Sequence, residues 1–209
     1  MSNTITALRL QKKNKNRVNV FLDGEYRFAL SFNAAATLKK GQELTEAEIA
    51  ELTAEGEQHK LYEQALRYLG YRARSEGEMR QHLLGKGHAE ALIEETIDRL
   101  REEGYLDDEA FARLWLANRE QLRPRGARAL RYELRQKGVN DTVIEHVLAD
   151  LDEEHSAWAA IQPKLRQWRS LDWPTFQKKS MGFLNRRGFG YDVCRTICER
   201  GWTEIEQDR

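Results

Sequence analysis

The sequence predicts a mainly α-helical protein, in which tandem three-helix repeats of the helix-turn-helix kind form an elongated array behind a small N-terminal β-meander. The first observation is a helix ending, Leu-x-x-(Lys/Arg)-Gly, that occurs three times with a period of about 50 residues. The second is a stripe of apolar residues beyond each glycine, at steps that keep them on one helical face. The three aligned sets are Leu83, Leu92, Ile93 and Ile97; Leu134, Val143, Ile144 and Leu148; and Leu184, Val193, Cys194 and Cys198.

Composition agrees with this fold class. Charged residues make up 33% of the 209-residue chain and hydrophobic residues 40%. This is polar for one compact globule, but it suits an array of helices with a large surface. The 34 basic and 34 acidic side chains balance to a net charge of zero. A globally basic nucleic-acid binder is therefore not indicated, and any charged surface must be local.

The N-terminal region, residues 1–58, begins with alternating apolar and polar residues that predict a three-stranded meander. Asp23-Gly24 between the second and third runs indicates a two-residue hairpin turn, because a type I′ turn needs positive φ at both positions. The basic stretch Lys12–Arg17 would form the first connecting turn. It could contact phosphate or an acidic partner surface, but we favour a simply solvated turn.

After the meander the hydrophobic period changes. Ala34–Leu38 predicts a short helix that Gly41 stops. Thr45 and Glu48 fit a capping box, in which each side chain bonds a backbone amide of the first turn of a further helix. We interpret Thr53–Gln58 as a linker or a fraying helix end and place a domain boundary there.

Three repeats follow, at residues 59–105, 106–151 and 152–209, each with three predicted helices. The helices are expected at Lys60–Tyr71, Ser75–Lys86 and Ala89–Glu103; at Asp107–Gln121, Arg125–Lys137 and Asp141–Leu151; and at Glu153–Arg169, Pro174–Arg187 and Tyr191–Arg200. The junction Gly104–Asp108 is a helix stop, an apolar anchor and an acidic helix start that suits the helix dipole. Trp173-Pro174 indicates a helix start, and Pro163 is expected to kink or split its helix.

The middle helix of the second repeat carries the strongest chemical signal. Residues 123–138 contain six basic side chains and one acid, Glu133. The six are Arg123, Arg125, Arg128, Arg131, Arg135 and Lys137. Pro124 suits a first-turn position, and Gly138 suits a helix end. Leu130 and Leu134 at i, i+4 predict an apolar side, opposite a stripe of arginines.

Such an arginine side can meet the phosphates or carboxylates of a partner, or it can pair with acids of neighbouring helices in the same chain. We favour the partner surface, because a surplus of five positive charges in sixteen residues exceeds what local pairing needs. A second basic segment, residues 164–187, has seven basic residues and one acid. Both segments fall on middle helices, so stacked repeats would place them along one face.

No catalytic constellation is evident. The 14 glycines are mostly helix stops, and the five histidines are scattered without metal-ligand spacing. Cys194 and Cys198 at i, i+4 are either half a metal site or core residues, and we favour the core because both occupy apolar repeat positions. We therefore expect no enzyme, no cofactor and no metal. Two cysteines and the lack of a signal peptide or long apolar run predict a cytoplasmic protein without membrane contact, and we expect a monomer.

The repeat motifs resemble those of the RecX family of bacterial regulatory proteins. The resemblance rests on segments spread from Lys60 to Gly201, namely Ala65–Leu69, Glu78–Gly87, Gly104–Ala112, Arg123–Gly126 and Glu133–Gly138. It implies tandem three-helix repeats and a role in DNA repair and the SOS response. It also implies a partner, the filament that RecA recombinase forms on single-stranded DNA. The protein would inhibit the recombinase, ATPase and co-protease activities of that filament.

The family offers no catalytic residues to carry over. Its partner surface maps here onto ten basic residues, which we call the basic surface. They are Arg123, Arg125, Arg128, Arg131, Arg135, Lys137, Lys178, Lys179, Arg186 and Arg187. Weak direct contact between this surface and DNA stays open.

A rival hypothesis is a direct DNA-binding transcriptional regulator, because three-helix units resemble helix-turn-helix modules. A sequence reader needs Asn, Gln or Arg aimed at base edges from a recognition helix. The helices after each glycine carry Glu94, Glu95 and Glu145 where base contacts are expected, which argues against this reading. A third alternative is a helical adaptor for some other protein.

Overall fold

The computed structural model describes residues 3–208 and contains a three-stranded sheet followed by helices. The strands are β1 (Ile5–Leu10), β2 (Arg17–Leu22) and β3 (Glu25–Ser31). The first five helices are α1 (Phe32–Ala35), α2 (Glu46–Leu69), α3 (Glu76–Leu84), α4 (Glu90–Glu102) and α5 (Asp108–Leu122). The other five are α6 (Ala127–Gln136), α7 (Asp141–Leu148), α8 (Glu153–Trp168), α9 (Trp173–Arg186) and α10 (Tyr191–Gln207). The predicted fold class, mainly α with an N-terminal meander, is confirmed.

The sheet is antiparallel with the strand order β1-β2-β3. Its hairpin turn has the predicted geometry, since φ is 49° at Asp23 and 92° at Gly24. One face of the sheet is buried with α1 and the start of α2, around Ile5, Val20 and Leu30. The alternating pattern therefore has a direct cause, because every second side chain points into this small core.

The short helix after the meander differs from its prediction. It begins at Phe32 rather than Ala34, because the Ser31 hydroxyl accepts the N–H of Ala34 at 3.1 Å and so caps an earlier start. Gly41 does not stop this helix. It has a φ of 87° in a separate turn, where its N–H donates to the carbonyl of Ile5 at 2.8 Å.

The capping box at Thr45 and Glu48 is confirmed, but the predicted linker at Thr53–Gln58 is wrong because α2 runs through it without a break. The reason is Gly56, where a Cβ would lie 2.2 Å from the carbonyl oxygen of Ala29. The helix thus packs on the sheet through its backbone, and an apolar pattern cannot report that contact.

The three repeated helix endings adopt the same structure. The three leucines are fully buried, and the three glycines have positive φ, as a left-handed helix stop requires. The leucines are Leu83, Leu134 and Leu184, and the glycines Gly87, Gly138 and Gly188 have φ values of 81°, 75° and 90°. Beyond each glycine, α4, α7 and α10 bury the equivalent positions Ile93, Ile144 and Cys194. The repeat predicted from the sequence is therefore present in the fold.

Three details of the helix ends depart from expectation. Pro124 precedes α6 and is not in its first turn, because Gly126 is the N-cap residue. Pro163 lies inside α8, which continues through it, so of the two expected outcomes, a kink or a split, the split is excluded. The last helix, α10, continues past Arg200, since Gly201 lies in its interior. A Cβ at Gly201 would come 3.0 Å from the Leu165 side chain, so this glycine allows close packing instead of ending the helix.

Consecutive repeats meet through pairs of glycines. A Cβ at Gly77 would lie 2.6 Å from the Cα of Gly138, and one at Gly126 would lie 2.4 Å from the carbonyl oxygen of Gly188. The Gly126 N–H also donates to the carbonyl of Arg187 at 3.1 Å. The starts of α3 and α6 thus touch the helix-stop glycine of the following repeat, backbone against backbone.

Acids of the following repeat complete the same junctions. Asp108 at the start of α5 accepts the N–H of Glu76 at 2.8 Å, and Glu153 at the start of α8 accepts the N–H of Ala127 at 2.5 Å. The first amides of a helix have no partner within it. Each of these two middle helices is therefore capped by a residue from the next repeat.

The described chain forms two compact units. One contains the sheet, α1, α2 and the segment Met79–Tyr105. The other contains the short segment Ala73–Glu78 and the chain from Leu106 onward. The second unit holds the whole of the basic surface.

Candidate functional site

The basic surface lies on two middle helices and the residues that flank them. Arg123 and Arg125 precede α6, which carries the three aligned arginines, and Lys137 follows its last turn. Lys178, Lys179 and Arg186 belong to α9, and Arg187 caps its end. The structure places all ten residues in the same unit, but it gives them different electrostatic surroundings.

Four of the ten form ion pairs within the chain. Arg131 meets Glu145 through two bonds of 2.6 and 2.8 Å, and Arg135 meets Asp141 through two of 2.6 and 3.2 Å. The other two pairs are Lys137 with Glu78 at 2.8 Å and Arg125 with Glu133 at 3.0 Å. Intramolecular pairing, the reading that we did not favour from the sequence, therefore holds for much of α6.

Two of these pairs also lower the pKa of the carboxyl group that takes part in them. The Arg131 guanidinium holds the pKa of the Glu145 carboxyl below its ordinary value through their hydrogen bonds, and Arg135 does the same to the pKa of Asp141. Both carboxylates stay charged at neutral pH and offset the charge of their partners. A binding partner would have to displace Glu145 or Asp141 before it could reach these two arginines.

The remaining cations of the surface are not neutralised. Within residues 3–208, no carboxylate pairs with Arg123, Lys178, Lys179 or Arg186, and all four side chains are exposed. Among the described residues, Arg128 bonds only the neutral Asn185, through its backbone carbonyl at 2.8 Å and its side-chain oxygen at 2.7 Å. These five exposed residues, with the half-buried Arg187, carry the free positive charge of the surface.

The glycine junction brings the two ends of the surface together. Arg187 donates to the carbonyl of Pro124 at 3.1 Å and lies 4.5 Å from the centre of the Phe183 ring. Burial lowers the pKa of Arg187, and the nearby charges of Arg123 and Arg125 lower it further. Like charges at this spacing repel, so an anion bound between them would relieve that repulsion.

A groove of about 750 Å³ runs beside the lysines of α9. Its lining combines Lys178, Lys179 and Arg186 with Trp168 and Phe183, and the two aromatic rings stand edge to face with centroids 5.8 Å apart. The sequence placed the lysines on a basic segment but did not place these aromatics beside them. The available signal was the helical spacing of Lys179, Phe183 and Arg186 along α9.

The chemistry of the unit is otherwise unreactive. Cys194 and Cys198 are buried in the core of the third repeat, and burial raises the pKa of both thiols. Cys198 accepts a hydrogen bond from the Ser180 hydroxyl at 3.0 Å. The core interpretation of this pair is confirmed.

No group of three or more His, Cys, Asp or Glu side chains in residues 3–208 is placed to hold a metal ion. Among the helices described, none combines the length and the apolar character needed to cross a membrane.

Family models match three parts of the chain. The N-terminal domain of regulatory protein RecX matches residues 3–45, the first RecX three-helix domain matches residues 62–100 and the second matches residues 107–148. The matches cover the meander and the first two repeats.

Relatives agree over nearly the whole length. Regulatory protein RecX of Bacillus velezensis is 34% identical over 209 residues, covering 98% of this chain and 79% of its own. That of Bacillus subtilis is 32% identical with the same coverage. That of Clostridium botulinum is 34% identical over 202 residues, covering 92% of this chain and 93% of its own.

Solved structures show the same fold. A crystal structure of regulatory protein RecX superposes with a TM-score of 0.75 at 27% identity, covering 95% of this chain and all of that one. RecX from Lactobacillus salivarius superposes with a TM-score of 0.63 at 23% identity, covering 68% of this chain and 95% of its own, which shows likeness of fold. The domain matches, the identities and the shared repeat architecture together establish that this chain belongs to the RecX family of regulatory proteins.

Proposed function

We propose that this chain binds the filament that RecA recombinase forms on single-stranded DNA and inhibits the recombinase, ATPase and co-protease activities of that filament. It acts in DNA repair and the SOS response as a monomeric, cytoplasmic regulator without catalytic residues of its own. Membership of a family named for regulation supports this proposal. The repeats supply similar surfaces in series, which suits a partner that is itself a repeating polymer.

One observation carries the proposal. The basic side chains of α9 and of the start of α6 have no carboxylate partner in the described chain. Lys178, Lys179 and Arg186 face solvent beside an aromatic groove, without a carboxylate partner in residues 3–208. Exposed cations of this kind contribute little to the stability of their own fold. They gain electrostatic energy when a partner brings acidic side chains or phosphates, and complementary charge speeds the encounter.

The ion pairs between α6 and α7 change which residues we expect to matter for docking. Arg131 and Arg135 already pair with carboxylates of this chain. A partner must first break those pairs, so a contact with either arginine contributes less binding energy than a contact with an unpaired cation. Arg128 is the exception on this helix, because its only described partner is the neutral Asn185. We therefore assign docking mainly to Arg123, Arg128 and the α9 cations.

The test uses two matched pairs of adjacent exposed lysines. Lys178→Glu with Lys179→Glu reverses the charge of the basic surface, and Lys39→Glu with Lys40→Glu makes the same change in the other unit. Inhibition of single-stranded DNA-dependent ATP hydrolysis by the cognate RecA is measured for both. We expect the first variant to need at least about tenfold more protein for half inhibition, because each lost contact with a charged group is worth roughly 1.5–3 kcal/mol.

Equal potency of the two variants, with unchanged circular dichroism, would remove α9 from the docking surface. The rival function has its own readout. A footprint on a specific duplex in the absence of RecA would replace the filament proposal with direct transcriptional regulation. Inhibition without any such footprint supports the filament.

A further inference from the structure

A second cationic cavity lies in the other unit, far along the chain from the basic surface. It is formed where the end of α2 meets α3 and the residues that follow α3, and it has a volume of about 400 Å³. Three cations and three flat rings dominate its lining. They are Lys60, Arg67 and Lys86, and Tyr68, Tyr71 and His82. No acidic side chain lines it.

The rings form a stacking platform. Tyr68 and His82 lie parallel, with an interplanar angle of 3° and ring centroids 3.8 Å apart. Tyr71, one turn further along the chain, is 79% exposed. Aromatic rings present flat faces on which a planar ligand can stack. The exposed ring at the rim of a cavity is therefore available to a planar ligand.

The cations are free to bind an anion. Lys60, Arg67 and Lys86 are exposed, and in the described part of the chain no carboxylate pairs with any of them. His88 also lines the cavity, and its side chain shares a hydrogen bond of 2.9 Å with that of Gln64. Burial and the nearby Lys60 lower the pKa of His88, so the positive charge at neutral pH resides on the lysines and the arginine.

We propose that this cavity binds a nucleotide, with its base stacked on the exposed ring of Tyr71 and its phosphate held by Lys60, Arg67 and Lys86. Stacking and phosphate charge are the two features that aromatic rings and cations recognise together. The cavity volume is at the small end of ligand sites, which suits one nucleotide. The source is either a free nucleotide or a single nucleotide within a strand. This site shares no residue with the basic surface and does not depend on the proposed function.

The test is calorimetric titration of the full chain, without RecA, using ATP, inorganic phosphate and an oligodeoxythymidylate as separate probes. Tyr71→Ala removes an exposed ring, and Lys86→Glu reverses an exposed charge, so neither change disturbs the core. We expect each to weaken nucleotide binding by about tenfold, the effect of one stacked base or one phosphate contact. Lys39→Ala with Lys40→Ala, outside the cavity, should leave binding unchanged.

The probes separate the sources. If each site binds ATP more tightly than the oligonucleotide, the ligand is a free nucleotide. If it binds the oligonucleotide more tightly, the ligand is a nucleotide within a strand. Phosphate binding as tightly as ATP, or Tyr71→Ala binding as tightly as the unmodified chain, overturns the proposal because stacking then contributes nothing. Absence of binding by all three probes overturns it as well.

Discussion

Gly126 is the residue at which the backbone itself is the contact surface. Its N–H bonds the carbonyl of Arg187, and the carbonyl of Gly188 lies where a Cβ would have to be. Gly182 in the interior of α9 is a useful contrast, because a Cβ there meets only the flexible end of Arg186, at 3.2 Å. The same mutation should therefore have opposite effects at the two positions.

We expect Gly126→Ala to lower the free energy of unfolding by about 1–3 kcal/mol, as overpacking against atoms that cannot move does. Gly182→Ala should raise it by about 0.5–1 kcal/mol, because alanine is the better residue inside a helix. Urea denaturation followed by circular dichroism measures both changes. A neutral Gly126→Ala would mean that the junction opens at little cost.

At the residue scale, the sequence predicted the burial of Cys194 and Cys198 but not the role of Gly126. The cysteines occupy positions at which the other two repeats have apolar residues, so comparison of the repeats predicts that both are buried. Gly126 is required by an approach between residues more than sixty positions apart, and a chain read in order contains no sign of that approach. Pro124 was assigned to the first turn of this helix, but the helix begins only after the N-cap residue Gly126.

At the scale of elements, α6 and α7 are joined by the two ion pairs of Arg131 and Arg135. The pKa values of Glu145 and Asp141 lie below their ordinary values in the folded chain. Protons therefore bind the unfolded chain more readily, so these groups stabilise the fold above the ordinary carboxyl pKa. That contribution is lost as the pH falls through the lowered pKa values.

The prediction is a difference that depends on pH. Glu145→Gln with Asp141→Asn should lower the thermal midpoint at pH 7, and the gap to the unmodified chain should close as the pH falls below about 4, near the usual carboxyl range. Thermal unfolding across that range measures it. The control is Glu206→Gln, at an exposed carboxylate of α10 without a partner in residues 3–208. Its thermal midpoint should differ from that of the unmodified chain by the same amount at every pH.

Element boundaries were predicted best where side chains set them. The capping box at Thr45 and the acidic start at Asp107 hold because their side chains bond nearby amides, at positions fixed by local spacing. The failures at Thr53–Gln58 and beyond Arg200 share one cause. Gly56 and Gly201 lie inside these helices and permit close tertiary packing, which the local sequence pattern does not reveal.

At the scale of the whole molecule, the net charge is zero although the basic surface has free cations. Long-range attraction to a negatively charged polymer is therefore weak, and binding must rely on charges in contact. We expect half inhibition of RecA ATP hydrolysis to require more protein as sodium chloride rises toward 1 M, where the Debye length is only about 3 Å.

The charge-reversed Lys178 and Lys179 variant provides the comparison for that salt series. Its potency should vary less with salt than that of the unmodified chain, because it has fewer counterions to release. Parallel salt curves for the two proteins would show that docking uses other contacts. Buffer effects on RecA itself are removed by expressing each rate relative to RecA alone at the same salt.

The sequence located the members of the basic surface but not their partners. The charge surplus in residues 123–138 was read as exceeding local pairing, because acids on other helices were not counted against it. Glu145 and Asp141 lie in the next helix, and Glu78 belongs to the preceding repeat, so their pairing with α6 depends on tertiary packing. The aromatic side of the α9 groove was missed for the same reason.

The junctions between repeats also affect when the contacts of each helix can form during synthesis. When α6 is synthesised, the carboxylate that caps its first amide, Glu153, and the glycine that receives Gly126 have not yet been made. The second repeat is thus completed only by the third, whereas α9 has its own cap in Asp172, which accepts the N–H of Thr175 at 3.2 Å. A chain that ends before residue 188 lacks the glycine against which Gly126 packs, so the contact at the start of α6 stays incomplete in it.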